Sequence, residues 1–304
     1  KHAFILNKEH GTNIALITTG SMHQEDALYG HKTYYVNEKN LYASLMFEHN
    51  FNKQHNLSTG VSLNHDYLGQ QYRLTDDQTQ AKTSDNEKET VPGIYAQYTY
   101  NLNNKLIVMA GIRADHSSLY GNFVTPRFHV KWQANDIIGF RLSAGKGYRS
   151  VHALAENNYL LASSRRLIID DNLKQEEAWN CGISSQMNIP LFGQTLKLNA
   201  EYYYTDFQNQ AVINFDSNVH EVRISNLDGR SYSHVFQIDA AYPIFKGMTL
   251  TAAYRRNYVK ETYDGIRMDK PLLSKYKGLV SASYKTPLGL WQFDATLQFN
   301  GGGR

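Results

Sequence analysis

The chain has 304 residues, 41% of them hydrophobic, a formal charge of +3 and a single cysteine, Cys181. So small a charge, with no basic stripe, makes no case for nucleic acid, and one cysteine excludes an internal disulfide framework or a cysteine-only metal site. The mean hydropathy of -0.52 is that of a polar protein, but a membrane barrel gives the same average, because its lipid-facing apolar residues alternate with polar ones inside.

Lys1 to Lys8 show no small-residue cleavage site after an apolar core, so no secretory signal is visible there. From this end onward the chain alternates with period two in segments of about ten residues, as strands do when successive side chains point to opposite faces. A partial segment comes first. Leu57, Val61 and Leu63 then oppose Ser58, Ser62 and Asn64. The longest apolar stretch, Leu106 to Ile112, is far short of the roughly 20 residues a spanning helix needs. Leu196, Leu198, Ala200, Tyr202 and Tyr204 oppose Lys197, Asn199, Glu201 and Tyr203, and Cys181 reads as a small apolar residue on a strand face. His234, Phe236, Ile238 and Tyr242 oppose Ser233, Gln237 and Asp239. Met248, Leu250, Ala252 and Tyr254 oppose Thr249, Thr251 and Arg255, and Trp291 to Asn300 closes the series in the same way. Roughly fourteen such segments are predicted, with almost no helix.

Short and long connections alternate between them. The short ones fall at Asn52 to His55, Leu102 to Asn104, Gln133 to Asp136, Pro190 to Gln194, Ile244 to Gly247 and Pro287 to Leu290. The long ones are expected at Gln24 to Lys39, Tyr67 to Thr90, His116 to Thr125, Ser150 to Leu173, Ala211 to Ser225 and Glu261 to Ser274. An antiparallel up-and-down β-barrel crossing a membrane has this rhythm, with tight turns on one rim. A soluble sandwich or propeller would also alternate. Its strands usually run five or six residues, whereas these are longer and end in tyrosine or tryptophan, as interfacial girdles do. With no linker of proline, glycine or serine, residues 1–304 read as one domain.

Thr125-Pro126-Arg127, Val130, Trp132 and the run Arg141 to Arg149 (Arg-Leu-Ser-Ala-Gly-Lys-Gly-Tyr-Arg) resemble the barrel of TonB-dependent outer-membrane receptors. Asn172 to Glu177 with Asn180 and Gly182 is similar to that family's Leu-Lys-Pro-Glu segment, with Gln175 in place of proline. Tyr203 to Val212, Asn226 to Gly229 and Asn300 to Arg304 also fit, and Ala153 to Arg165 resembles receptors of Bacteroides-type bacteria. The resemblance implies roughly 14 strands of a barrel of about 22, lacking the N-terminal plug and the last strands. It implies residence in the bacterial outer membrane among its lipids. It also implies active import of a scarce nutrient (iron-siderophore, haem or cobalamin), with the TonB-ExbB-ExbD complex engaged through the plug. The alternative reading is a passive porin or adhesin barrel, and a more distant one is a soluble carbohydrate-binding β-protein.

No His-Glu-x-x-His, Gly-x-Ser-x-Gly or P-loop is present, so no catalytic residue, cofactor or enzymatic activity is expected. Gly145-Lys146-Gly147 reads as close backbone packing on the wall. The twelve histidines are scattered, and no metal site is assigned; Asp170 and Asp171 alone fall well short of the oxygens calcium needs. Ligand contact is expected on the long connection from Ser150 to Leu173 and the strand end before it. Tyr148 and Tyr159 offer aromatic faces, Asn157 and Asn158 amide groups, and Arg149, Arg165 and Arg166 cations for carboxylate or phosphate on a metal chelate or cobalamin-type ligand. Arg127, His129, Lys131, Arg141 and Arg255 are expected to face the barrel interior.

Overall fold

The alternation becomes one continuous antiparallel sheet in the computed structural model, which describes residues 1–304. In chain order its strands are β1 (His2–Asn7), β2 (Thr12–Tyr29), β3 (Lys32–Asn50), β4 (His55–Arg73), β5 (Thr83–Leu102), β6 (Leu106–Ser117), β7 (Gly121–Gln133) and β8 (Ile138–Arg149). A short helix, α1 (Ala153–Asn157), a 3-10 turn (Asn158–Ala162) and β9 (Arg166–Ile169) follow. Then come β10 (Glu176–Leu191), β11 (Gln194–Asn209), β12 (Ala211–Asn214), β13 (Glu221–Asn226), β14 (Ser231–Phe245), β15 (Met248–Tyr263), β16 (Ile266–Asp269), β17 (Tyr276–Lys285) and β18 (Gln292–Gly301). Each long strand pairs with its neighbours in sequence, so the wall is an up-and-down meander. Its first and last strands do not pair with each other. β9, β12 and β13 stand apart as a three-stranded sheet.

Register carries the sequence pattern across the wall. Ile183 pairs with Leu142 and Tyr202, Tyr202 with Phe236, and Val280 with Ala252 and Leu297, so apolar residues fall side by side on one face. Lys131 pairs with Arg141, Arg141 with Ser184, and Glu201 with Gln237 on the other. His129, Lys131 and Arg141 line a concavity of about 590 Å³ on that face with Glu201 and Asp239. The pairing puts Arg127 and Arg255 on the same face. Trp132, Ile183, Leu297 and their row are exposed, as residues meeting lipid must be.

One rim holds the expected tight turns. Phe192 and Gly193, both at positive φ, join β10 to β11, and Gly247, at φ 89, joins β14 to β15 where an added Cβ would strike the Lys285 carbonyl. Gly145 packs against backbone as expected: a Cβ there would lie 3.2 Å from the Pro126 carbonyl oxygen.

The other rim differs from the sequence expectation. Gln24 to Lys39 is mostly strand, since β2 and β3 stay paired as far as Tyr29 and Lys32. Tyr67 to Thr90 narrows to residues 74–82, His116 to Thr125 to a turn at 118–120, and β15 runs on to Tyr263 before β16 pairs back onto it. The reason is a change of phase. Along β3 and β4 the inward row is polar low down (Ser44, Ser62, Asn64) and apolar near the rim (Tyr34, Val36, Leu68), so strand persists while the lipid-facing alternation stops.

Candidate ligand-binding site at the long-connection rim

The apolar rim residues of β3 and β4 are covered by chain that comes from the opposite part of the wall. Tyr34, Val36 and Leu68 share a buried core with Leu154, Leu160, Leu161, Leu167, Val222 and Ile224. Leu154 to Leu167 belong to the connection between β8 and β10, and Val222 and Ile224 to β13, so two connections merge into one cap over the inward face. β9 supplies the join by pairing in parallel with β13. Polar contacts pin it to the far wall. Asn158 donates to Glu25 at 3.0 Å, and the Lys32 ammonium donates to the Ser163 carbonyl at 2.6 Å. The buried Tyr34 hydroxyl donates to Gln70.

On the near side the cap is hinged through acids. Ser150 donates to the buried Glu89 at 2.7 Å, and His152 Nδ1 lies 3.3 Å from Glu87 Oε1. That contact with Glu87 raises the proton affinity of His152 above the ordinary imidazole value while burial works against it; Glu156 and Glu38 add to the rise. Arg149 holds Glu176 through Nη2 at 2.7 Å and Glu156 through Nη1 at 2.8 Å, tying the strand end to α1.

Between α1, β12, β13 and the end of β15 lies a cavity of about 230 Å³. Val151, Ala153, Ile213, Phe215 and Ile224 form apolar walls, and Gln210, Glu261, Tyr263 and Lys270 a polar side. The buried Glu261 carboxylate accepts from Lys270 at 2.8 Å, from Gln210 at 3.3 Å and from the Tyr263 hydroxyl. Tyr159, 51% exposed, and Leu272, 80% exposed, also border the cavity and leave apolar surface open to solvent. Such a recess can seat a flat, partly apolar group and offer hydrogen bonds along one edge.

Of the residues singled out in the sequence, Arg149, Asn157 and Tyr159 meet at this cavity. Asn157 spends its amide on the Ala153 carbonyl at 2.9 Å, and Arg149 is held by its two glutamates. Tyr148 lies elsewhere. Above the Arg127 and Gly145 pair, β7 and β8 part, and Tyr148 packs there on Phe123 and donates to Asp115, which also accepts from Nε and Nη2 of Arg113. Asn158 faces β2, Arg165 donates to the Phe215 carbonyl at 2.9 Å, and Arg166 pairs with Glu221. Asp170 is engaged by Arg223 at 2.9 Å. Gln210 lies within the Tyr203 to Val212 stretch, but no local motif relates it to Ile213, Glu261, Tyr263 and Lys270, which separate connections bring together here.

A family model described as TonB dependent receptor-like, beta-barrel matches residues 6–304. Among solved structures, the copper transporter OprC superposes with a TM-score of 0.69 at 13% identity, covering 95% of this chain and 48% of that one. The alcaligin outer-membrane receptor FauA from Bordetella pertussis gives 0.64 at 13%, covering 96% and 51%. The ferric citrate transporter FecA in its unliganded form gives 0.63 at 14%, covering 98% and 47%. The chain thus spans about half the length of these structures. A search of curated protein sequences gives no match.

Proposed function

Since the chain belongs to the TonB-dependent receptors of the bacterial outer membrane, we propose that it imports a scarce nutrient whose capture takes place under the cap. The observation that carries this reading is the merging of two long connections into one cored unit that encloses a cavity on the long-connection rim, the rim that outer-membrane barrels turn outward. Binding loops work best when a rigid scaffold displays them, and here the barrel wall provides it. The tight-turn rim has no connection long enough to build a comparable recess.

Import is driven through TonB with its ExbB-ExbD partners, by way of a plug domain seated against the inward polar face. Lys131, Arg141, Glu201 and Asp239 offer both signs of charge for that contact. The cargo is a metal chelate, in keeping with the copper, alcaligin and ferric citrate named for the structural neighbours. Tyr159 and Leu272 would meet its ligand framework, while the neutralised Glu261 and Lys270 pair takes its polar edge.

The test is the double variant Tyr159→Ala with Leu272→Ala in the full-length receptor. Truncating two apolar contacts is expected to weaken half-saturation of uptake by roughly tenfold or more, at about 1.4 kcal/mol per decade, with receptor abundance unchanged. Uptake curves for ferric and cupric chelates that coincide with wild type would refute capture at this cavity.

A further inference from the structure

The ladder between β7 and β8 stops at the pair of Arg127 and Gly145, although each strand stays paired on its other side, β7 with β6 as far as Gly121 and β8 with β10 as far as Arg149. Pro126, the first residue past the last pair, brings no N–H to the ladder. Above the gap the chain is tied back to β5, where Ser150 donates to Glu89 at 2.7 Å. The wall therefore has a window between residues 122–126 of β7 and 146–149 of β8.

One side chain fills it. Had the register continued, Tyr148 would stand beside Val124 on the lipid-facing row that carries Leu142 and Ala144. Its partner on β10, Glu177, belongs to that row and pairs with Lys146 there. Yet the Tyr148 ring packs on Phe123 and its hydroxyl reaches Asp115 at 2.9 Å, and both of these share the inward row with Arg113. The ring thus passes through the wall. Beside it, on the inward face, Gly147 borders open space, since an added Cβ would meet nothing within 4 Å.

The window joins two recesses. Its upper end borders the cavity under the cap, which Arg149 and Val151 help to line. Its lower end opens onto a hollow of about 550 Å³ on the outward face, with Ile112, Phe128, Ala144 and Trp179 among its walls. The first recess has a polar side, whereas the second is walled chiefly by apolar side chains.

We propose that the cargo is an amphiphile, a metal chelate carrying one long acyl chain. The head is held under the cap while the chain runs through the window into the hollow, and Tyr148 swings aside to admit it. This rests on capture at the cavity beneath the cap and adds the class of cargo. From Arg149 to Ala144 is about 17 Å along β8, at ~3.3 Å per residue, a span that a hexadecanoyl chain covers. A chain without a polar head would gain nothing from the cavity, and a head without a chain would leave the hollow to the bilayer.

The test uses the full-length receptor in detergent and two iron(III) trihydroxamate chelates with the same head, one N-acetylated and one carrying a hexadecanoyl chain that ends in a photoreactive diazirine. Illumination followed by peptide mass spectrometry is expected to mark the peptides that hold Ile112, Phe128 or Trp179, and an excess of the acetylated chelate should suppress that labelling. Gly147→Trp sets a side chain into the window and should lose the labelling while binding the acetylated chelate as wild type does, whereas Gly147→Ala should retain it. Heat-modifiable migration reports that each variant is folded. Binding of both chelates without labelling of the hollow would overturn the proposal. So would labelling that persists in Gly147→Trp, or that the acetylated chelate leaves unchanged, since the chain would then have arrived from the detergent. A receptor that binds neither chelate would refute capture of such chelates at the cavity, and the proposal with it.

Discussion

The wall and the cap solve opposite problems with the same strand geometry. In the wall, apolar residues such as Leu198, Ile183 and Leu297 point away from the protein, and the polar groups between them face inward. In the cap, and on the part of the inward face it covers, Tyr34, Val36, Leu161 and Ile224 point together and lose nearly all contact with solvent. Lipid replaces a core in the first region and is absent from the second, so each is sensitive to a different kind of substitution.

The comparison breaks most visibly inside the cap. Leu161→Ala removes a side chain that is 2% exposed, and a truncation of this kind costs about 2 to 5 kcal/mol. The loss should be confined to the cap: hydrogen exchange at residues 150–173 and 211–226 is expected to accelerate strongly while the amides of β10 and β11 keep their protection. Faster exchange throughout the wall would show that the two regions are not separate units.

The wall is tested by charge. Arg at Leu198 should cost roughly 2 to 4 kcal/mol if it lies near the middle of the bilayer, whereas Arg at the neighbouring Asn199, which donates to Asp239 on the inward face, should be tolerated far better. Refolding equilibria in detergent or lipid measure both, and equal penalties would contradict the assignment of faces.

This contrast also decides what could be read from sequence. Wall strands announce themselves because each residue's environment depends only on its own parity, so Leu196 to Tyr204 spells out a strand without reference to any partner. The rim does not. Tyr34, Val36 and Leu68 are apolar in the phase opposite to Leu45 and Leu63, because a segment far along the chain covers them, and nothing local says so. The strands β9 and β12 have four residues each, too few for a period to show. Tyr159 and Arg149 are legible from residue type and from their place on or beside the Ser150 to Leu173 connection, whereas Glu261 and Lys270 are joined to the site only by the way β15 and β16 project beside the cap.

The smallest effect is electrostatic and lies at the hinge between the two regions. A His152 whose proton affinity is raised in the folded state contributes stability that is full below the ordinary imidazole value and disappears as pH rises through its own raised value. Cap opening should therefore become slightly easier at alkaline pH, by under about 1 kcal/mol, as partly exposed ion pairs generally allow. Exchange rates for residues 150–173 followed across pH in wild type and in His152→Gln check this, after correction for intrinsic amide chemistry. A pH dependence that survives in His152→Gln would assign the effect to another group.

Under the proposed function, cargo captured beneath the cap passes only when the cap leaves the far wall on which it rests. Asn158 and Glu25 touch across that junction at 3.0 Å. Both can be changed to cysteine, with Cys181, exposed on the outer wall, replaced by serine. A short bifunctional thiol reagent applied to intact cells is expected to join residues 25 and 158 in most receptors and to stop uptake, and reagents cleavable by reduction should restore it. Failure of the two positions to cross-link, or unimpaired uptake by the cross-linked receptor, would contradict the account.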